Sequence, residues 1–242
     1  MQSKAGTHHD VDAVVFDMDG VLIDSRPVIE NAWRDVARRH GRTLTAADAE
    51  RYVHGRTGSE TVRLLFPDHS DSDRSAIWAE VDKVEEEAPY PAVPGADALA
   101  TGLADRGVLL ALATSSWARK IDNALGGLDL LDVFAVRVTR DDVTHGKPHP
   151  DPYLAACRRL GVRPQRTLVF EDSVSGVRSA VSAGAVCVGI GTHELIGAGA
   201  ITVAPDFTNL SVAHAKDRGE SLVLTGLDAR ITITAAGERA RA

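Results

Sequence analysis

Asp17 and Asp19, one residue apart and followed at once by Gly20, close an apolar run that starts at Val14. Such a run, Val14-Val15-Phe16, reads as a buried parallel strand, and the C-terminal ends of strands are where open α/β sheets place ligands. Two carboxylates at that place can hold a hard divalent cation, and one of them can attack an electrophile. A solvated Asp-Gly turn is the competing reading, and the segment alone leaves both open.

Three further groups follow other apolar runs: Thr114-Ser115-Ser116, Lys147, and Glu171-Asp172. Each has a plain structural use. The hydroxyls suit a helix cap, Lys147 suits a solvated loop, and Asp172 or Ser173 suits an N-cap. In a parallel sheet, however, the strand ends share one edge, so all four groups converge. Hydroxyls, one cation and two acidic pairs together suit one phosphate and one metal.

The elements that must bring them together are legible as patterns. Val108–Ala113, Val133–Val138, Thr167–Phe170 and Ala185–Ile190 read as strands. Between them, Ala96–Asp105, Trp117–Leu125, a helix opened by Asp151 as N-cap with Pro152 at its first position, and a stripe of Val174, Val177 and Val181 read as helices. This alternation predicts an α/β fold, a Rossmann-like doubly wound parallel sheet. Ser25 is the candidate N-cap of a helix carrying Ile29, Ala32, Trp33, Val36 and Ala37 on one stripe, and Ala46–Tyr52, Ser59–Leu65 and Ser72–Glu87 continue as helix. Such a helical block after the first strand is too long for an ordinary connection. The expected organisation is a core of residues 11–25 and 92–215, a helical insertion of residues 26–91, and a C-terminal extension of residues 216–242. In the tail, Ile201–Val203 and Thr208–Leu210 read as short edge elements. Leu222–Leu224 and Ile231–Thr234 form a possible hairpin, and residues 237–242 are expected to fray.

Composition narrows the function. A net charge of −7 with scattered basic residues gives no footprint for nucleic acid or a membrane surface. Cys157 and Cys187 are too few for a disulfide framework or a zinc site and are expected as buried thiols. Residues 1–10 lack the apolar core of a secretion signal, and no apolar stretch is long enough to span a bilayer, so a cytoplasmic location is expected.

The motifs resemble those of the haloacid dehalogenase-like (HAD) phosphohydrolase superfamily. Phe16-Asp17-Met18-Asp19-Gly20-Val21-Leu22-Ile23-Asp24-Ser25, Thr114-Ser115-Ser116, Gly146-Lys147-Pro148 and Phe170-Glu171-Asp172-Ser173 stand in that order. The likeness spans about residues 11–212 and points to the phosphatase and beta-phosphoglucomutase branch, with residues 26–91 as its cap domain. It implies Mg²⁺ held by carboxylates of Asp17 and Asp172 and by the backbone carbonyl of Asp19, with Glu171 behind them. It further implies Asp17 as nucleophile, forming an aspartyl-phosphate, and Asp19 as general acid and base. Thr114, the Ser115 N–H and Lys147 would hold the phosphoryl group. Because Asp19 supplies an acid for an alkoxide leaving group, the resemblance favours phosphate monoesters over halides or phosphonates.

The segment from His54 to Thr61 sits where capped members carry a specificity loop, so His54 and Arg56 are candidate substrate contacts; an interhelical turn is the alternative. The loop is similar to that of sugar- and polyol-phosphate phosphatases, and a sugar, polyol or cyclitol phosphate is the expected substrate. Beta-phosphoglucomutases carry a histidine where this chain has Ile29 and an arginine where it has Gly58, which favours hydrolase over mutase. A phospho-acceptor signalling module shares the acids, hydroxyl and lysine but not the helical insertion or the Asp-x-Asp spacing. Trp33, Trp78 and Trp117 are read as packing residues, and the sequence leaves the oligomeric state open.

Overall fold

Every residue of Ala13–Phe16 is buried, as a strand covered on both faces must be. The computed structural model describes residues 8–54, 56–215 and 221–235. Gly55 of the expected specificity loop and the tail after residue 235 lie outside the described residues. In chain order, β1 (His8–Val11) and β2 (Ala13–Phe16) precede helices α1 (Arg26–Arg39), α2 (Ala46–Tyr52), α3 (Gly58–Leu65) and α4 (Asp71–Glu87). Then come α5 (Ala96–Ala104), β3 (Leu109–Ala113), α6 (Ala118–Gly126), β4 (Val136–Val138), α7 (Asp151–Leu160) and β5 (Thr167–Glu171). Next are α8 (Val174–Ala183), β6 (Val186–Ile190), α9 (Leu195–Ala198) and β7 (Thr202–Ala204). Strands β8 (Ser211–His214), β9 (Leu222–Thr225) and β10 (Arg230–Ile233) complete the order.

Six strands form one sheet in the order β4-β3-β2-β5-β6-β7, and every neighbouring pair is parallel. The fold is thus α/β with a doubly wound sheet. From β2 the chain steps outward to β3 and β4 and then returns to β5 on the other flank of β2. The switch point, where such sheets bind ligands, falls between β2 and β5. The pleat sorts the core by period two. Val14, Phe16, Leu110, Leu112, Leu168 and Phe170 face one cluster with Leu99, Leu103, Ile121 and Leu125 of α5 and α6. Val15, Ala111, Ala113 and Val169 face the other, with Tyr153, Ala156, Val177 and Ala180 of α7 and α8.

A second, four-stranded sheet runs β1-β10-β9-β8. Its hairpin pairs Ile231 with Leu224 and Ile233 with Leu222, and β1 joins β10 in parallel, His8 opposite Arg230. The sequence reading gave β1 no element, because His8-His9-Asp10-Val11 carries a single apolar residue. Leu222, Leu224, Ile231 and Ile233 belong to the same buried cluster as Phe16 and Phe170. Ile231→Ala is therefore expected to cost about 2–5 kcal/mol in urea unfolding, the usual range for truncating a fully buried aliphatic side chain.

Helices α1 to α4 carry their own apolar cluster, built from Trp33, Val36, Ala37, Leu65, Phe66, Ile77 and Val81, with Ile29 at its margin. Thr45 and Thr57 each close a capping box, with Asp48 and Glu60. The two chain passages between this helical block and the sheet lie side by side: Asp24 N–H donates to the Pro91 carbonyl at 2.8 Å, and Val93 N–H to that of Leu22 at 3.0 Å.

Several local expectations are corrected. Residues 133–138 are not one strand; a 3₁₀ turn at Leu131–Val133 precedes β4, and Phe134 turns inward to meet the Phe16 ring edge-on. Pro150, not Asp151, is the N-cap of α7, and Asp151 instead pairs with His145. Val181 is exposed rather than on the inner stripe. Thr208–Leu210 is not a strand; Leu210 drops into the core and β8 begins after it. Cys157 and Cys187 are buried free thiols, and among the described residues no helix is long and apolar enough to cross a membrane.

Candidate active site

At the switch point, Asp17 extends the ladder by donating its N–H to the Phe170 carbonyl at 3.0 Å. Its side chain therefore leaves the sheet beside those at the end of β5. Gly20 then turns the chain with φ +75, and any Cβ there would overlap the Asp172 carboxylate. Glycine is required twice over, by conformation and by closeness. These residues line a cleft of about 340 Å³, with Thr114, Ser115 and Lys147 from the sheet edge and Arg26, Ile29, His54 and Arg56 from the helical block. Of the residues singled out at the strand ends, all but Ser116 and Glu171 line it.

Lys147 sits between two carboxylates, 2.7 Å from Asp17 Oδ1 and 2.6 Å from Glu171 Oε1. Burial alone would favour its neutral form, but Asp17 and Glu171 hold it charged, above its usual range. Glu171 is fully buried and saturated. Besides Lys147 it accepts from the Tyr153 hydroxyl at 2.7 Å and from the Ser173 N–H and hydroxyl, each at 3.1 Å. Gly176 makes room for it, since a Cβ there would fall on the Glu171 carboxylate.

Asp17, Glu171 and Asp172 offer oxygens all within 4.8 Å of one another. Desolvation raises the pKa of Asp17, with Glu171 and Asp19 adding to the rise and Lys147 opposing it. Desolvation raises that of Asp172 too, and there Asp17 and Glu171 repel in the same direction. Three carboxylates face one ammonium, so the cluster lacks two positive charges when ionised. An all-oxygen donor set with that deficit fits a hard divalent cation. Because Glu171 has spent its lone pairs, Asp17 and Asp172 are the carboxylates free to bind one.

Asp19 lives in a different field. Its Oδ1 accepts from Lys120 Nζ at 2.9 Å and its Oδ2 from the Ser116 hydroxyl at 2.8 Å. Against the burial that would raise it, Lys120, Ser25 and Ser116 hold its carboxyl below the usual range. Ser25 thus stands at the N-cap position of α1 but makes no capping bond; its hydroxyl serves Asp19. Nor do the hydroxyls at Thr114–Ser116 cap α6, whose N-cap is Trp117 without a side-chain bond. The Thr114 oxygen accepts the Ser116 N–H at 3.0 Å, leaving its own proton for another acceptor. Ser173 does cap, receiving the Gly176 N–H.

In the helical block, His54 Nδ1 lies 2.9 Å from both Glu50 Oε2 and Arg26 Nη2, and Arg26 also pairs with Glu50 at 2.6 Å. Arg56 holds the Arg51 carbonyl through Nε at 3.1 Å and also lines the cleft. Gly58 does not line the cleft; a Cβ there would strike the Trp78 indole. Sequence reasoning missed Arg26, Tyr153, Lys120, and the use of Ser25 and Ser116 as Asp19 partners.

The sequence model of haloacid dehalogenase-like hydrolases matches residues 11–184. The chain belongs to this family. Among curated relatives, it is 36% identical to hexitol phosphatase A of Escherichia coli strain K12, over 70% of this chain and 78% of that one. It is 37% identical to the phosphorylated carbohydrates phosphatase of Thermotoga maritima, over 72% and 82%. The crystal structure of a beta-phosphoglucomutase from Clostridium difficile superposes with a TM-score of 0.69 over 83% of this chain and 93% of that one; at 22% identity this is a likeness of fold.

Proposed function

We propose that this protein is a Mg²⁺-dependent phosphatase of small phosphate monoesters, namely sugar, polyol or cyclitol phosphates, that works through an aspartyl-phosphate on Asp17. The observation that carries this reading is the charge arrangement at the switch point. Asp17 and Asp172 face one cleft short of two positive charges, with Lys147 fixed on Asp17. The cation, when bound to Asp17 and Asp172, supplies charge neutralisation for the phosphoryl group and keeps the nucleophile ionised. Asp19 would add its backbone carbonyl to the same ion.

In the first step an Asp17 oxygen attacks phosphorus, the bond to the substrate oxygen breaks, and Asp19, which must take up a proton in the substrate complex against the pull of Lys120 and Ser116, delivers it to that oxygen as the alcohol leaves. In the second step Asp19 takes a proton from water, which attacks phosphorus and releases Asp17 and inorganic phosphate. The Thr114 hydroxyl, the Ser115 N–H and Lys147 hold the non-bridging oxygens throughout. Residues 26–91 act as a cap over a core of residues 11–25 and 92–215. Within the cap, Arg26, His54 and Arg56 meet substrate hydroxyls or ring oxygens, a use supported by their place on the cleft wall. The activities in the names of the curated relatives support the substrate class.

Ile29, apolar on the cleft wall, and Gly58, confined against Trp78, favour hydrolysis over a mutase. With Mg²⁺ present, inorganic phosphate is expected from at least one hexitol or hexose 1- or 6-phosphate without added bisphosphate. Removing the metal with EDTA should stop release, and excess Mg²⁺ should restore it. Interconversion that needs a bisphosphate and releases negligible phosphate would replace this reading by a mutase. A single stoichiometric phosphorylation without turnover would replace it by a signalling module.

A further inference from the structure

The last turn of α4 carries Glu85, Glu86 and Glu87 and no basic residue, the wrong sign for a helix C-terminus. The missing cations come from α6. Lys120 Nζ lies 3.0 Å from Glu85 Oε2 and Arg119 Nε 3.5 Å from Glu86 Oε2. Trp117 adds an indole N–H to Glu86 Oε1 at 2.7 Å, and Asn123 an amide N–H to the Ala88 carbonyl at 2.7 Å. The end of the cap's longest helix is thereby fastened to the core helix that follows the Thr114 loop. Of these four side chains, Lys120 alone continues inward, to Asp19 Oδ1 at 2.9 Å.

We propose that Lys120 is a positioning residue that ties the side chain of Asp19 to the cap through Glu85. The inference rests on the phosphatase reading of Asp19 given above. Lys120 is 3% exposed in its side chain and Glu85 9%, so solvent does not compete for either contact. With Ser116 on the other oxygen, Asp19 has little freedom to rotate away from the leaving group. An α4 helix displaced by an ångström would stretch the Glu85 contact beyond hydrogen-bonding distance. The placement of the cap over the cleft and the aim of the proton-transfer group thus become one event.

The test separates leaving groups. An alkyl phosphate needs the Asp19 proton as its P–O bond breaks, whereas p-nitrophenyl phosphate leaves as a weakly basic phenolate and does not. Because kcat/KM reports the steps up to release of the alcohol, the comparison isolates that first transfer. Lys120→Met is expected to lower kcat/KM for a hexitol phosphate by about 30-fold, the lost aim of Asp19 outweighing its easier protonation without the ammonium, with a loss at least about ten times smaller for p-nitrophenyl phosphate. Lys120→Arg should recover most of the difference. Glu85→Gln, which keeps the Lys120–Asp19 contact but loosens the cap, should show the same selectivity at about 5-fold. Equal losses on both substrates, or none on either, would overturn the proposal. Should Lys120→Met not fold by circular dichroism, Glu85→Gln decides on the same criteria. A wild-type protein inert toward both esters with Mg²⁺ would instead bring down the phosphatase reading itself.

Discussion

Asp17→Asn is expected to abolish phosphate release, by at least about 10⁴-fold, while the protein remains folded and, without metal, gains stability. The amide matches the carboxylate in shape but has no anionic oxygen for phosphorus. It also removes one of three crowded carboxylates. Burial, with Glu171 and Asp19 adding, raises the Asp17 pKa despite Lys147. A carboxyl group with a raised native pKa stabilises the fold only while protonated, so its ionised form at pH 8 works against folding. The neutral amide lacks that cost. Activity and apo stability should therefore move in opposite directions, which separates loss of the nucleophile from general damage. Phosphate release and urea unfolding at pH 8, each with and without Mg²⁺, measure both, and the stabilisation by Mg²⁺ should shrink in the variant. Turnover near the wild-type rate would remove Asp17 from the nucleophile's role.

The second large effect is at Lys147. Replacement by methionine keeps an unbranched side chain, one atom shorter, and takes away the one ammonium shared by Asp17 and Glu171. Stripping one partner from a buried ion pair typically costs about 3–5 kcal/mol, because the remaining charges stay buried without compensation. Turnover should fall by about 10²–10³-fold as well, since in the proposed mechanism Lys147 also holds a phosphoryl oxygen. Mg²⁺ should restore part of the stability and not all of it. The cation compensates Asp17, whereas Glu171 is left with only Tyr153 and Ser173. Adding Glu171→Gln to Lys147→Met should recover stability without activity, a separation that urea unfolding and phosphate release resolve in a double-mutant cycle.

Much of the sheet was legible because its central strands are unbroken apolar runs, a pattern that leaves little choice once both faces must be covered. The convergence of Asp17, Lys147 and Asp172 followed from that topology rather than from their sequence separation. What escaped has a common cause: side chains whose partners come from far along the chain. Lys120 lies one residue before Ile121 on a helix face that also buries Ala124 and Leu125. A lysine on a buried face was a usable signal, but nothing local names Asp19 or Glu85 as its partners. Ser116 offered the usual capping chemistry, and Asp19, from the end of a different strand, took its hydroxyl. Strand β1 was invisible for the same reason, being specified by pairing with Arg230–Ile233 and not by its own composition.

That pairing sets an order of assembly. β1 is made first among these strands and β10 last, yet they are neighbours, and the leucines and isoleucines of the hairpin complete the packing around Phe16 and Phe170. On the ribosome the whole parallel sheet can be synthesised while one of its apolar flanks still waits for β10. The nascent chain then carries a sticky surface until that strand emerges, the interval in which a chaperone has most to offer.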